Sequence, residues 1–338
     1  MINILPKHKI ENWSGSIRVE KLGLPTISSV DYVWHSNYTL SGDAPKGFLS
    51  IYSFNKNSSI RKKSPKTWAK YIVKTGHKWY PNESITEHLL NRLGTIFGLQ
   101  MAQSGLVIIN GQLRFISKYF LHYNREELVH GAEIFAGYLE DSKMVEDIEA
   151  AHLSQNLFTL QFVKQALQHA FPKQSAELLH QLVQLLLFDA FVGNNDRHYY
   201  NWAVINSYYR NTLPKFSPVY DTARGLFWNN SDMQLEQRFR QGNIQHYLEK
   251  YCQESRPKIG WEGVSNINHF NLVRLIFTNN FAITKQQLSE LFNQQLLPSS
   301  FEVIDSEFSK MMSQRRRELI KQCLEYRFNT IRKIIENE

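Results

Sequence analysis

FVGNNDRHYYNWAVI, residues 191–205, decides how this chain reads. An apolar run stops at Gly193, a polar segment from Asn194 to Asn201 follows, and the short β-type stretch WAVI (202–205) comes next. FSPVYD (216–221) then makes a second apolar approach and ends on Asp221. Two acids and an amide, Asp196, Asp221 and Asn201, thus stand at the ends of apolar elements, where an unpartnered polar group is costly to bury. The preceding stretch, SAELLHQLVQLLLFDAFVG (175–193), predicts a helix with Ser175 as its N-cap and Glu177 in its first turn. Its second half is apolar on every face, the pattern of a helix buried at the centre of a domain.

The spacing has a chemical meaning. In phosphoryl-transfer enzymes of the kinase type, an Asp takes the acceptor hydroxyl's proton and an Asn five residues on holds a metal ion. Asp196 and Asn201 have that separation, and Asp221 follows a strand, where a second metal-binding acid belongs. Magnesium takes few, hard oxygen ligands, so one Asp, one Asn and phosphate oxygens suffice. By itself D-x-x-x-x-N is a common pattern. Its specificity here comes from the buried helix before it, the strand after it and the second acid. Asn194 and Asn195 also suit a turn, and His198 also suits a hydrogen-bonded structural position.

Upstream the chain changes character. GFLSIYSF (47–54) and AKYIVKTG (69–76) read as strands, and LVIINGQLRFISKYF (106–120) reads as a hairpin turning at Asn110-Gly111. Between them ESITEHLLNRLGTIFG (83–98) predicts a helix stopped by Gly98. After residue 125 helical patterns dominate, and 301–338 predicts one or two amphipathic helices whose Arg315-Arg316-Arg317 run is a solvated face. A small β-rich part thus precedes a larger helical one, with a cleft between them as the natural place for a site.

Composition narrows the class. A chain of 338 residues, 42% hydrophobic and 21% charged, can build two lobes of ordinary globular type. Cys252 and Cys323 are too few for a disulfide scaffold or a zinc site and fit a reducing compartment. The start, MINILPKHKIENWSG, has no apolar signal core. The apolar run near Leu182 to Val192 is shorter than the roughly 20 residues that span a bilayer. The expectation is a soluble, cytoplasmic protein with no membrane partner, with secretion by a signal-less route left open. Net charge is +8, and Lys56, Arg61, Lys62, Lys63, Lys66, Lys70, Lys74 and Lys78 equal that excess, with no acid among them. This stretch admits a nucleic-acid patch, a solvated basic loop, or lysines that face a polyphosphate.

FVGNNDRHYYNWAVI followed by FSPVYDTARG resembles the HipA-like serine/threonine kinases of bacteria, whose signature is an Asn-Asp-x-His-x-x-Asn loop followed by a Pro-x-Tyr-Asp segment. SGDAPKG (41–47), with Gly42 and Lys46, resembles that family's phosphate loop, and YIVKTG (71–76) its strand with the ATP lysine. The likeness runs from about Thr39 to about residue 300. It implies an α+β, two-lobed kinase fold, with an N-lobe over 1–120 and a helical C-lobe over 121–338. It also implies ATP and Mg2+. Asp196 then resembles the catalytic base, Asn201 and Asp221 the metal ligands, and Lys74 the lysine on the phosphates. Glu87 is the candidate to hold Lys74, Lys118 to Phe120 resembles the hinge against adenine, and His198 joins the nucleotide site as part of the signature loop. Thr39, then Ser41, are the positional counterparts of the family's autophosphorylation site.

One departure stands out. About 38 residues precede the phosphate loop, too few for the extra N-terminal subdomain of HipA toxins. The compact kinase group fits best, and the inference to an antitoxin partner weakens with the missing subdomain. The leading expectation is phosphoryl transfer to Ser or Thr of a protein substrate. The alternatives are a small-molecule or lipid kinase or a nucleotidyltransferase on the same scaffold, and a non-enzymatic nucleic-acid-binding regulator. The kinase reading requires no nucleic acid.

Overall fold

The computed structural model describes residues 23–35, 46–53, 60–75, 82–122, 124–209 and 212–337. The expected phosphate-loop residues Thr39, Ser41 and Gly42 lie outside them, as do Lys56 and Lys78. Six strands, β1 (Thr26–Ile27), β2 (Tyr32–Trp34), β3 (Lys46–Ile51), β4 (Ala69–Lys74), β5 (Ser104–Ile109) and β6 (Gln112–Lys118), form one sheet in the order β1-β5-β6-β4-β3-β2. All neighbours are antiparallel except β1 and β5. The β5–β6 hairpin closes as the Asn-Gly pair requires: Asn110 has φ 53° and Gly111 has φ 71°, the double left-handed geometry of a two-residue turn that follows strand twist.

Helix α1 (Glu83–Ile96) lies against this sheet. Its Leu89, Leu90 and Leu93 join Leu106, Leu113 and Phe115 in the main core. A second, smaller core of Tyr32, Leu49, Ile51, Val73, Val107 and Ile109 belongs to the sheet alone. The helix ends two residues before Gly98, which leaves it with φ 95°. Strand β3 stops at Ile51, short of the expected residue 54.

The second part is helical around a small antiparallel sheet, β7 (Glu126–His130), β8 (Ala203–Ser207) and β9 (Lys215–Phe216). Helices α2 (Gly131–Leu139), α3 (Ser142–Ala150), α4 (Ser154–Leu157), α5 (Leu160–Ala170) and α6 (Ser175–Val192) precede the site. Helices α7 (Asp232–Arg240), α8 (Ile244–Glu254), α9 (His269–Thr278), α10 (Lys285–Leu291), α11 (Leu296–Glu307) and α12 (Gln314–Asn337) follow it. The fold is thus α+β with a β-rich first part and a helical second part, as expected.

Helix α6 runs through the core as its all-round apolar pattern demands, and every residue from Leu185 to Val192 is buried. It is long and apolar enough to cross a membrane, but 72% of it is buried inside the protein. Two local expectations are corrected. Gln174, not Ser175, is the N-cap of α6. Ser175 is the first helical residue, and its hydroxyl donates back to Gln168 Oε1 at 2.6 Å, which ties α6 to the end of α5. The Arg315–Arg317 run is not one solvated face, because Arg316 is buried and donates to Asp232 and to the backbone carbonyls of Phe227 and Asn230. Each helical residue is turned by about 100° from the one before, so three in a row cannot share one face.

Candidate active site

Lys74 ends β4 with its side chain in the interior, and its ammonium is shared by two carboxylates. Nζ lies 2.5 Å from Glu87 Oε1 on α1 and 2.7 Å from Asp221 Oδ1 in the second part of the fold. Lys46 pairs with Lys74 across β3 and β4 and reaches the other oxygen, Asp221 Oδ2, at 3.0 Å. Burial alone lowers a lysine's affinity for its proton, but the two carboxylates outweigh it and hold Lys74 well above the ordinary lysine range. Asp221 moves the other way: burial raises it, yet the Lys74 and Lys46 ammoniums hold it far below the usual carboxylate range. Glu87 shares only one of these cations, and its burial pushes it up to about 7. Lys70, on the same strand face two repeats of the pleat earlier, is half-buried, and Glu87 and Asp221 both pair with Lys74.

The polar loop starts where α6 stops. Gly193 adopts φ 68° and caps the helix, which turns the chain out of the core. Arg197 then points back inward. It is buried, and its guanidinium binds Asp189 Oδ2 at 3.0 Å, the Asn201 carbonyl at 2.7 Å, the Tyr220 carbonyl at 3.1 Å and Thr222 Oγ1 at 2.6 Å. Asn194 Nδ2 donates to the same Asp189 at 2.8 Å. One ion pair therefore fixes both Asn201 and the residues on each side of Asp221. Neither Arg197 nor Asp189 is marked by the Asp/Asn spacing. The signal that points to Asp189 is its place as the one charged residue in the apolar half of α6.

The Asp196 carboxylate stands outside this network. Its side chain is 20% exposed and its carboxylate lies 3.3 Å from the Arg224 guanidinium. Burial raises Asp196 above the ordinary carboxylate range, and Arg224, His198 and Lys258 only partly offset that. Asn201 Nδ2 donates to the Asp196 carbonyl at 2.8 Å, so both ends of the loop are tied. His198 accepts from the Tyr200 N–H at 3.2 Å, and its own burial lowers its proton affinity.

The donors present fit a hard divalent ion. Asp221 is a deprotonated carboxylate whose side chain stays 29% exposed while two ammoniums gather on it. The amide nitrogen of Asn201 is spent on Asp196, which leaves its oxygen as the ligand atom.

The sequence model of the HipA-like C-terminal domain matches residues 38–294. The chain belongs to that family. No match is found among curated proteins. Among solved structures, the HipA-like chain is similar to the proinflammatory kinase CtkA of Helicobacter pylori, with a TM-score of 0.69 at 18% identity over 93% of this chain and 98% of that one. This likeness shows a shared kinase-like fold. A structure of the Shewanella oneidensis MR-1 toxin–antitoxin proteins HipA and HipB with operator DNA matches at a TM-score of 0.48 and 12% identity, over 89% of this chain and 66% of that one.

The remaining residues singled out in this HipA-like chain divide. Lys46, Lys74, Glu87 and Asp221 meet in one cluster, and Asp196, His198 and Asn201 share the adjoining loop. Phe120 lies beside Tyr220, ring centroids 6.2 Å apart, one residue from Asp221. Lys118 is exposed at the end of β6, and its N–H is given to the Gln103 carbonyl; the Tyr119 N–H goes to Lys70.

Proposed function

We propose that this protein is an ATP-dependent kinase that transfers the γ-phosphoryl group of ATP to a Ser or Thr hydroxyl of a protein. The observation that carries the reading is Lys74, held between Glu87 at 2.5 Å and Asp221 at 2.7 Å. A cation buried between acids from two parts of the fold is the arrangement that grips nucleotide phosphates in kinases. Lys74 and Lys46 supply positive charge to the phosphates, and Glu87 aims Lys74. Asp196, partly exposed and held by its own loop, accepts the proton of the acceptor hydroxyl. Magnesium held by Asp221 and Asn201 would neutralise charge on the phosphate oxygens. Arg197 keeps the two ligand residues in register. Thr39 and Ser41 are the acceptors we assign within the chain itself.

Incubation with ATP labelled at the α or the γ position tests the reading. The expected result is acid-stable label on Ser or Thr from γ-labelled ATP only. Label from the α position would assign nucleotidyl transfer instead.

A further inference from the structure

Asp196 has a partner of its own. Arg224 Nε lies 3.3 Å from Asp196 Oδ2 and its Nη1 3.3 Å from Oδ1, a two-point contact on the residue we assign as base. The guanidinium also packs over the Trp228 ring, 5.2 Å from its centroid, and the Arg224 carbonyl accepts the Asn195 N–H at 3.3 Å. Its stem is therefore anchored while 31% of its side chain stays exposed.

Among the described residues, Arg224 is the cation paired with Asp196. Lys74 and Lys46 sit on Asp221. His198, two residues after Asp196, has its proton affinity lowered by burial. The exposed Lys258 acts on Asp196 only through longer-range charge. A base works from about 3 Å of the hydroxyl it deprotonates, and that oxygen attacks from about 3–3.5 Å. A guanidinium in contact with Asp196 therefore lies within reach of the phosphoryl oxygens.

Resting on the kinase reading, we propose that Arg224 is a γ-phosphate-binding catalytic residue that clasps Asp196 in the resting protein and exchanges it for the γ-phosphoryl group when ATP binds. The exchange frees the carboxylate for the acceptor. The acceptor O–H gives its proton to Asp196 while its oxygen forms a bond to the γ-phosphorus. The bond from that phosphorus to the β,γ-bridging oxygen breaks, and its electron pair leaves on ADP. Arg224 takes no part in the proton transfer and neutralises charge on the moving phosphoryl oxygens.

The test compares wild type, Arg224→Ala and Arg224→Lys in full-length protein. It uses γ-label transfer rates and thermal shifts with Mg-ADP and with a non-hydrolysable Mg-ATP analogue. Arg224→Ala should lower kcat by about 10²–10³-fold, the size of one lost transition-state donor. It should also weaken the ATP analogue while leaving the ADP shift as in wild type. Arg224→Lys should recover part of the rate. Wild-type transfer by Arg224→Ala overturns the proposal, and so does an equal loss of ADP and ATP-analogue binding, which marks a structural role. Absence of transfer in wild type itself would instead remove the kinase reading on which the proposal rests.

Discussion

Arg197 Nε donates to Asp189 Oδ2 at 3.0 Å with neither side chain open to solvent. The pair joins the core helix α6 to the two segments that carry Asn201 and Asp221, because besides a second bond to Asp189 the guanidinium donates to the Asn201 and Tyr220 carbonyls and to Thr222. Removing one partner strands the other as a buried charge, at about 3–5 kcal/mol. Arg197→Ala and Asp189→Ala should each lower the unfolding free energy from urea titration by an amount of that order, and so lower the midpoint. A midpoint within error of wild type for either variant would show that the pair does not hold the loops.

Asp221 combines two demands, a charge and a left-handed backbone with φ 53°. Asn, like Asp, tolerates that conformation better than most non-glycine residues. Asp221→Asn should therefore stay folded yet lose stabilisation by Mg-ATP, whereas Asp221→Ala should lose both that stabilisation and part of its intrinsic stability. Thermal-shift titration separates the two, since a ligand stabilises only the state it binds. An undiminished Mg-ATP shift in Asp221→Asn contradicts the metal assignment.

His88 provides a pH test independent of activity. It lies on α1, with Nδ1 3.0 Å from Ser104 Oγ and its ring 5.6 Å from Phe308, and burial lowers it to about 4. An unfolded histidine titrates near 6.5, so between about 6.5 and 4 the unfolded chain binds the proton first. Stability contributed by neutral His88 is thus full above 6.5 and is lost as pH falls through that window. Wild type should lose more melting temperature between pH 7 and pH 4.5 than His88→Gln, which cannot titrate. Parallel losses would place His88 in water.

Autophosphorylation gives a fourth test. A phosphate on Thr39 or Ser41 adds roughly −1.5 to −2 charges beside the residues expected to cover the nucleotide phosphates, and should repel ATP. Mass spectrometry should find phosphate within residues 38–64 of active protein and none in Asp196→Ala. An unmodified segment after long incubation with Mg-ATP counts against it.

The parts of this architecture that were legible in the sequence are those set by local pattern. The Asn110-Gly111 hairpin, the α1 stripe and the buried α6 each follow from one short stretch. Lys74 was separable from Lys70 by its likeness to a known strand pattern, and Glu87 by its place on α1. The partnerships that hold the site were less legible: Arg224 to Asp196 and Arg316 to Asp232 cross long sequence separations, and Arg197 meets Asp189 only because the chain turns back at the end of α6. A buried arginine in a polar run looks like its exposed neighbours until the partner's position is known. Ser175 shows the same limit on a smaller scale, since its hydroxyl is drawn to Gln168 on another helix.

The central claim is that Asp196 serves phosphoryl transfer as its general base. Its most direct test is the initial rate of γ-phosphoryl transfer, to the chain itself and to a Ser/Thr acceptor protein, by wild type and Asp196→Asn at equal concentration and saturating Mg-ATP. The substitution keeps the shape and removes the proton acceptor, so the rate should fall by about 10²–10⁴-fold while Mg-ATP stabilisation persists. Equal rates in the two proteins would contradict the account.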